Sequence, residues 1–261
     1  MDIIIFSGQS NMQGQTEGLP ENNPVIECAF EYRNLTDSLI PLCHPVGEDI
    51  VSDGIKMMCG AYEGGGTLVP AFCRAYIKET GRKVVAVHTA LGATTIAEWQ
   101  HGTRRYWIMA RKIRAAIAKA EQIEPIGKIF FVWLQGESDS LMPTGEEEYF
   151  EKLITHKKWL KADFGIEKFG IIKVGYFASV SNDWHVSGYT DEEKLGFDEG
   201  IMRAQERAVE TDKDFVMLTR ICTEMSKDAT CLNPKAKGHY NNASMDIIGR
   251  EAGTTLAEYV K

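Results

Sequence analysis

Apolar residues along this chain fall into two patterns that alternate. Short unbroken runs occupy 3–6 (Ile3-Ile4-Ile5-Phe6), 83–88, 128–134, 169–177 and 214–219. Such runs are too short for helices, and their β-branched residues favour strands. Between them, apolar residues recur at helical spacing. Leu68, Phe72, Ala75 and Tyr76 predict a helix over 68–80, with Pro70 in its first turn and Gly81 as its stop. Ile108, Ile113, Ala116 and Ile117 predict another over 104–120, with basic residues outward. Segment 146–163 opens on acids and carries lysines later, which suits the helix dipole. Segments 191–209 and 243–260 complete the set. Five strands alternating with helices predict an α/β fold: a five-stranded parallel sheet, helices on both faces, right-handed crossovers.

One stretch breaks the alternation. Residues 13–67 carry Pro20, Pro24, Pro41, Pro45 and the run Gly64-Gly65-Gly66, without helical periodicity. Loose alternation over 25–32 predicts a small strand there. A loop this long inside a compact domain is functional or has small structure of its own. It directly follows the end of the first strand, so it is placed to wall a pocket. A tolerated surface insertion is the competing reading. No repeat, linker or charge block divides the chain, so the expectation is one domain over 1–261 with this long insertion.

Composition narrows the function classes. A length of 261 residues is ample for a sizeable core. The formal net charge of −8 argues against nucleic acid and against an anionic membrane surface as partners. It leaves a neutral small molecule open. No apolar run approaches the roughly 20 residues of a membrane span. Met1-Asp2 leads into the first strand without a basic leader, so the expected compartment is the cytoplasm. Six cysteines without a C-x-x-C pair read as reduced thiols. Cys43, His44 and Cys59 lack zinc-type spacing, so no metal is expected.

The chemistry starts where the first strand ends. Ligands of open parallel sheets bind beyond the carboxyl ends of the strands. Gly8 allows a tight turn there, and Ser10 follows it. A serine at that place is either a nucleophile or the cap of the next helix. Other chemistries lack their motifs. There is no G-x-x-x-x-G-K-[ST], no dinucleotide fingerprint and no H-E-x-x-H. Met12 stands where G-x-S-x-G would need its last glycine, against an α/β-hydrolase elbow.

Gly8-Gln9-Ser10-Asn11-Met12 resembles the first block of the SGNH hydrolases, in the form used by the sialate O-acetylesterase-like and carbohydrate acetylesterase group. Trp133-Leu134-Gln135-Gly136-Glu137-Ser138-Asp139 resembles that group's W-x-Q-G-E-x-D block. The stretch from Ala90 to Trp99 resembles its A-x-G-G-[ST]-x-I-x-x-W block, with Ala93 replacing the second glycine. His239 stands where the last histidine block falls, and the four stretches keep the family's order.

The resemblance implies a flavodoxin-like three-layer α/β/α fold and a serine esterase that removes O-acetyl groups from a carbohydrate. It implies Ser10 as nucleophile, His239 as base, and an oxyanion hole from Gly92, Gln135 and the Ser10 N–H. Gln9 and Asn11 beside the serine, and Trp99 as a ring that could stack on a sugar, join the substrate-binding candidates. No cofactor is implied. The partner is a small-molecule or oligosaccharide acetyl ester.

The chain also departs from the family at the last block. The usual acid three residues before the histidine is absent, since the sequence reads Ala236-Lys237-Gly238-His239. Either a carbonyl oxygen orients the imidazole, or a distant carboxylate does. Glu137 is the best placed of these, with Asp228 further off. His185, two residues after Asp183, is the rival base. The missing acid also leaves open a non-catalytic carbohydrate-binding protein, and an acyltransferase is the third alternative.

Overall fold

The computed structural model describes residues 1–181 and 183–260. Strand β1 (Asp2–Gly8) is buried along its whole length. It runs between β6 (Val84–His88) and β7 (Ile129–Leu134), parallel to both. A strand covered on both faces needs no polar alternation, which is why it reads as a continuous apolar run. Beyond β7 come β8 (Lys168–Ile172) and β9 (Phe215–Thr219). These five are the strands the apolar runs predict.

The sheet is wider than predicted. The 13–67 stretch adds β2 (Ala29–Arg33), parallel to β6, and β3 (Ser38–Pro41), antiparallel to β2 at the edge. The sheet therefore has seven strands in the order β3-β2-β6-β1-β7-β8-β9, instead of five. A separate hairpin pairs β4 (Ile50–Ser52) with β5 (Ile55–Met58). β2 overlaps the small strand expected over 25–32, while β3, β4 and β5 are short and partly exposed and carry little of the apolar signal that marks the central five.

The predicted strand over 169–177 also ends early, at Ile172. Lys173 N–H still bonds to the Thr219 carbonyl of β9 at 3.0 Å, and beyond it backbone N–H groups go to side chains. Val174 donates to Gln205 at 3.0 Å, Tyr176 to Ser226 at 2.9 Å, and Phe177 to Asp198 at 3.0 Å.

Helices cover both faces. Phe130 and Phe131 are successive strand residues, so they point to opposite sides. Tyr76 of α2 (Val69–Thr80) meets Phe130, with ring centres 6.1 Å apart. His156 of α5 (Glu146–Phe164) meets Phe131 at 5.6 Å. Helix α2 packs on α8 (Asn242–Ala257), and α5 packs on α6 (Asp191–Thr211). Three short helices close strand ends: α1 (Ser10–Gln13) after β1, α4 (Glu137–Leu141) after β7, and α7 (Cys222–Met225) after β9. The insertion is tied to α3 (Arg104–Glu121) by a buried ion pair, Lys112 Nζ to Glu48 at 2.8 Å. Among the described residues no helix is long and apolar enough to cross a membrane.

Candidate active site

Three strand ends converge on one edge of the sheet. At the end of β1, Gly8 has φ +146°, and a Cβ there would lie 1.9 Å from the Leu134 carbonyl oxygen. Only glycine lets β1 run this close to β7 and then turn. Gln9 takes the capping position of α1, and Ser10 is its first helical residue. Ser10 is thus not the cap. Its hydroxyl makes no hydrogen bond among the described residues, and it faces a cleft. The N–H groups of the first helical turn have no intrahelical acceptor. His88 Nε2 supports this turn from below, 3.1 Å from the Met12 carbonyl. Burial pushes the His88 pKa down to about 3, so the ring is neutral and bonds without charge.

The cleft has a volume of about 440 Å³ and is lined by Ser10, His239, His185, Gln9, Phe177 and Thr95, among others. His239 sits on the loop before α8. Its Nδ1 lies 3.2 Å from the Lys237 carbonyl oxygen, and its ring stands edge-on to Phe177 with centres 5.5 Å apart. An Nδ1–H donated to that carbonyl leaves the lone pair on Nε2. Burial lowers the His239 pKa, although carbonyl bonds to Lys237 and Ala236 oppose it.

His185 lines the same cleft. Its Nδ1 is 2.6 Å from Asp183 Oδ1, and the exposed Trp184 ring stacks on it at 3.7 Å. Asp228 is exposed and caps the turn at Thr230, so it does not serve His239.

Several residues singled out from the sequence are at this edge but turned away from the cleft. Glu137 is buried and accepts from Asn11 Nδ2 at 2.8 Å; no hydrogen bond joins it to His239. Its second carboxylate oxygen is buried without a partner among the described residues. Burial raises its pKa to about 7, against the Asn11 hydrogen bond that lowers it. Asn11 spends both ends of its amide on the protein. Nδ2 also reaches the Gly238 carbonyl at 3.4 Å, and Oδ1 accepts the Tyr240 N–H at 3.3 Å. Asn11 therefore ties the serine turn to Glu137 and to both neighbours of His239.

Gln135 is fully buried, and its amide hydrogens go to Thr94 O, Asp139 and Gln9 Oε1. This corrects the expectation of a free amide donor: the polar partners closest to the strand end take it first. Trp99 is likewise fully buried, with Nε1 on Thr94 Oγ1 at 3.0 Å, and cannot stack on a ligand. Gly92 lies beside the serine: a Cβ on it would be 3.5 Å from Ser10 Cβ. Its N–H is held by Gln13 Oε1 at 2.9 Å. Gln9 makes no hydrogen bond through Nε2 among the described residues. Its Oε1 accepts from Ser138 N at 3.0 Å and from Gln135, which fixes the flip and turns Nε2 away from those donors.

Sequence reasoning missed the apolar lining from Leu141, Met142 and Phe177, and the polar lining from Thr95 and Glu98. Position was the available signal, since each follows a strand on the carboxyl edge. Among the described residues no group of three His, Cys, Asp or Glu side chains could hold a metal ion.

Solved structures of the same fold include a protein from Arabidopsis thaliana, with a TM-score of 0.67 and 18% identity over 99% of this chain and 98% of that one. A carbohydrate acetylesterase from Xanthomonas citri gives 0.56 and 13%, over 100% of this chain and 57% of that one. The aryl esterase of M. smegmatis gives 0.52 and 13%, over 100% and 98%. At these identities the likeness is one of fold. No curated protein matches the chain. The family model described as carbohydrate esterase, sialic acid-specific acetylesterase, matches residues 1–214 and stops before the His239 loop. With 214 of 261 residues matched, and the glycine–glutamine–serine turn at the carboxyl edge of an SGNH-type sheet, the chain belongs to this carbohydrate esterase family.

Proposed function

We propose that this protein hydrolyses acetyl esters of a carbohydrate through an acyl-enzyme on Ser10, with His239 as base. One observation carries the reading. An unbonded serine hydroxyl and an imidazole whose Nδ1 rests on a backbone carbonyl share one cleft. In this mechanism His239 Nε2 takes the proton as Ser10 Oγ attacks the ester carbonyl. The same proton then goes to the sugar oxygen as the C–O bond breaks. Water, activated by the same nitrogen, releases acetate. Burial supports the neutral imidazole that a base needs. The Ser10 N–H and Gln9 Nε2 are the oxyanion donors, and the Gly92 N–H joins them when Gln13 turns aside. Each such donor is worth about 3 kcal/mol in the transition state. Lys237 O takes the place of the absent acid and fixes the tautomer.

The short Asp183–His185 contact favours a second reading, with His185 as base and Asp183 as its acid. Hydrolysis of 4-nitrophenyl acetate by wild type, Ser10→Ala, His239→Gln and His185→Gln separates the two. Ser10→Ala and His239→Gln should each lose about 10⁴-fold or more in kcat, by analogy with other serine hydrolases, while His185→Gln stays within about tenfold. A larger loss in His185→Gln than in His239→Gln transfers the base role. Activity that survives Ser10→Ala overturns the serine mechanism.

A further inference from the structure

A second groove opens on the other side of the nucleophile. It has a volume of about 500 Å³, comparable to the Ser10 cleft, and Gln15 and Ala93 line both. Gly92 forms part of its floor, right beside Ser10. The far wall belongs to the insertion, which brings Asp49, Lys56, Tyr62 and Glu63. That wall is anchored. Tyr62 N–H donates to the Gly14 carbonyl at 2.9 Å, and Cys59 N–H to Ala90 at 2.9 Å. Each hollow alone has the size of a small-molecule site. One acetylated monosaccharide with its ester at Ser10 fills only one of them.

The charges say what kind of ligand fits. Among the described residues that line either hollow, Lys56 is the single Lys or Arg, and it is paired with Asp49 at 2.6 Å. Glu63 adds a further carboxylate, and Asp183, on His185 at 2.6 Å, and Glu98, paired with Arg105 at 3.1 Å, leave no cation over. An acidic sugar would meet like charge with no free cation to answer its carboxylate. A neutral sugar finds hydroxyl partners of both kinds in Gln15, Asp49 and Lys56, and a half-exposed ring in Tyr62.

We propose that this groove is a second sugar subsite. It holds the neighbouring residue of a neutral O-acetylated oligosaccharide on Tyr62, and it turns the enzyme toward such chains and away from acetylated sialic acids. The proposal rests on the esterase reading above and names its substrate class.

The test compares kcat/KM on 4-nitrophenyl acetate, acetylated methyl xyloside, acetylated xylotetraose and an O-acetylated N-acetylneuraminic acid, for wild type and Tyr62→Ala. The mannose pair, methyl mannoside and mannotetraose, is run beside the xylose pair. In wild type at least one acetylated tetrasaccharide should exceed its monosaccharide by about tenfold (~1.4 kcal/mol), and the sialic acid should be the poorest sugar. Tyr62→Ala should erase the length preference through KM and leave 4-nitrophenyl acetate unchanged. Equal rates on short and long sugars, a preference for the sialic acid, or an equal loss on every substrate in Tyr62→Ala overturns the proposal. Should wild type cleave no ester at all, the esterase reading fails, and calorimetric titration with the same tetrasaccharides decides the groove. Binding weakened by Tyr62→Ala upholds it, and no binding overturns it.

Discussion

Ser10 and His239 share a cleft, but the protein holds them in opposite ways. Ser10 lies two residues beyond a fully buried strand with parallel neighbours on both sides, and the Gln9 N–H still bonds to the Leu134 carbonyl at 3.1 Å. Its position follows from backbone geometry. His239 lies on a loop that follows β9 and α7 and has almost no regular structure. Among the described residues an isolated bridge, Leu232 to Tyr240, closes it together with backbone bonds from Asn233 N–H to the His239 carbonyl at 2.7 Å, from His239 N–H to Ala236 at 3.1 Å and from Asn241 N–H to Cys231 at 3.1 Å. Side chains do the rest: Asn11 from the serine turn, and Phe177 against the ring. A serine set by the sheet tolerates most side-chain changes around it. An imidazole held mainly by loop contacts depends on each of them.

Alanine at one glycine in each region tests this most severely. At Gly8 the added Cβ meets the backbone oxygen of Leu134 at 1.9 Å, and φ is +146°. Backbone of a central strand cannot move aside, so Gly8→Ala should cost more than about 4 kcal/mol or prevent folding. At Gly238, with φ +77°, the new Cβ meets the Phe177 ring at 2.5 Å, and a ring can turn. Gly238→Ala should cost roughly 1–3 kcal/mol, the range for a strained backbone position. Urea unfolding of both variants measures the gap, and equal costs would erase the distinction.

The same contrast decides what the sequence could tell. The five central strands were legible because burial on both faces leaves only apolar residues. β2 showed only as a loose alternation over 25–32, and β3, β4 and β5 did not show, because short half-exposed strands look like loops. The serine turn was legible because glycine, strand end and serine are local in the chain. The aim of polar side chains was not. Gln135, Asn11 and Trp99 stand in the blocks that carry the family resemblance, yet each spends its polar atoms on protein neighbours. Whether an amide points at a ligand or at a carbonyl depends on residues far away in sequence. The carbonyl that holds His239 was foreseen only as one of two options, since a backbone oxygen leaves no trace in composition.

Glu137 sharpens the comparison through pH. Its folded pKa of about 7 lies above the ordinary 4.5, because burial disfavours the carboxylate. The native state then keeps a proton that the unfolded state has released. Stability must fall as pH rises from about 4.5 and level off above about 7. Asp139, raised by burial to about 6, acts in the same direction. Glu137→Gln keeps an oxygen for Asn11 and removes one titration. Between about pH 5 and about pH 8, wild type should lose on the order of 3 kcal/mol more than the variant. Parallel pH profiles in urea unfolding would show that Glu137 is not the buried acid described here.

Asn11 is where the two regions meet, and its removal gives the most informative small effect. Asn11→Ala takes the donor from Glu137 and loosens both neighbours of His239, while β1 and the Ser10 backbone keep their bonds. Leaving those groups unpaired should cost about 1–3 kcal/mol of stability. The imidazole, no longer fixed relative to the serine, should drift. A displacement of that kind costs about 10²-fold in rate, and it should fall on kcat with KM little changed. If KM rises instead and kcat holds, Asn11 touches the sugar after all. If neither moves, the histidine loop has enough order of its own, and His239 is as firmly placed as Ser10.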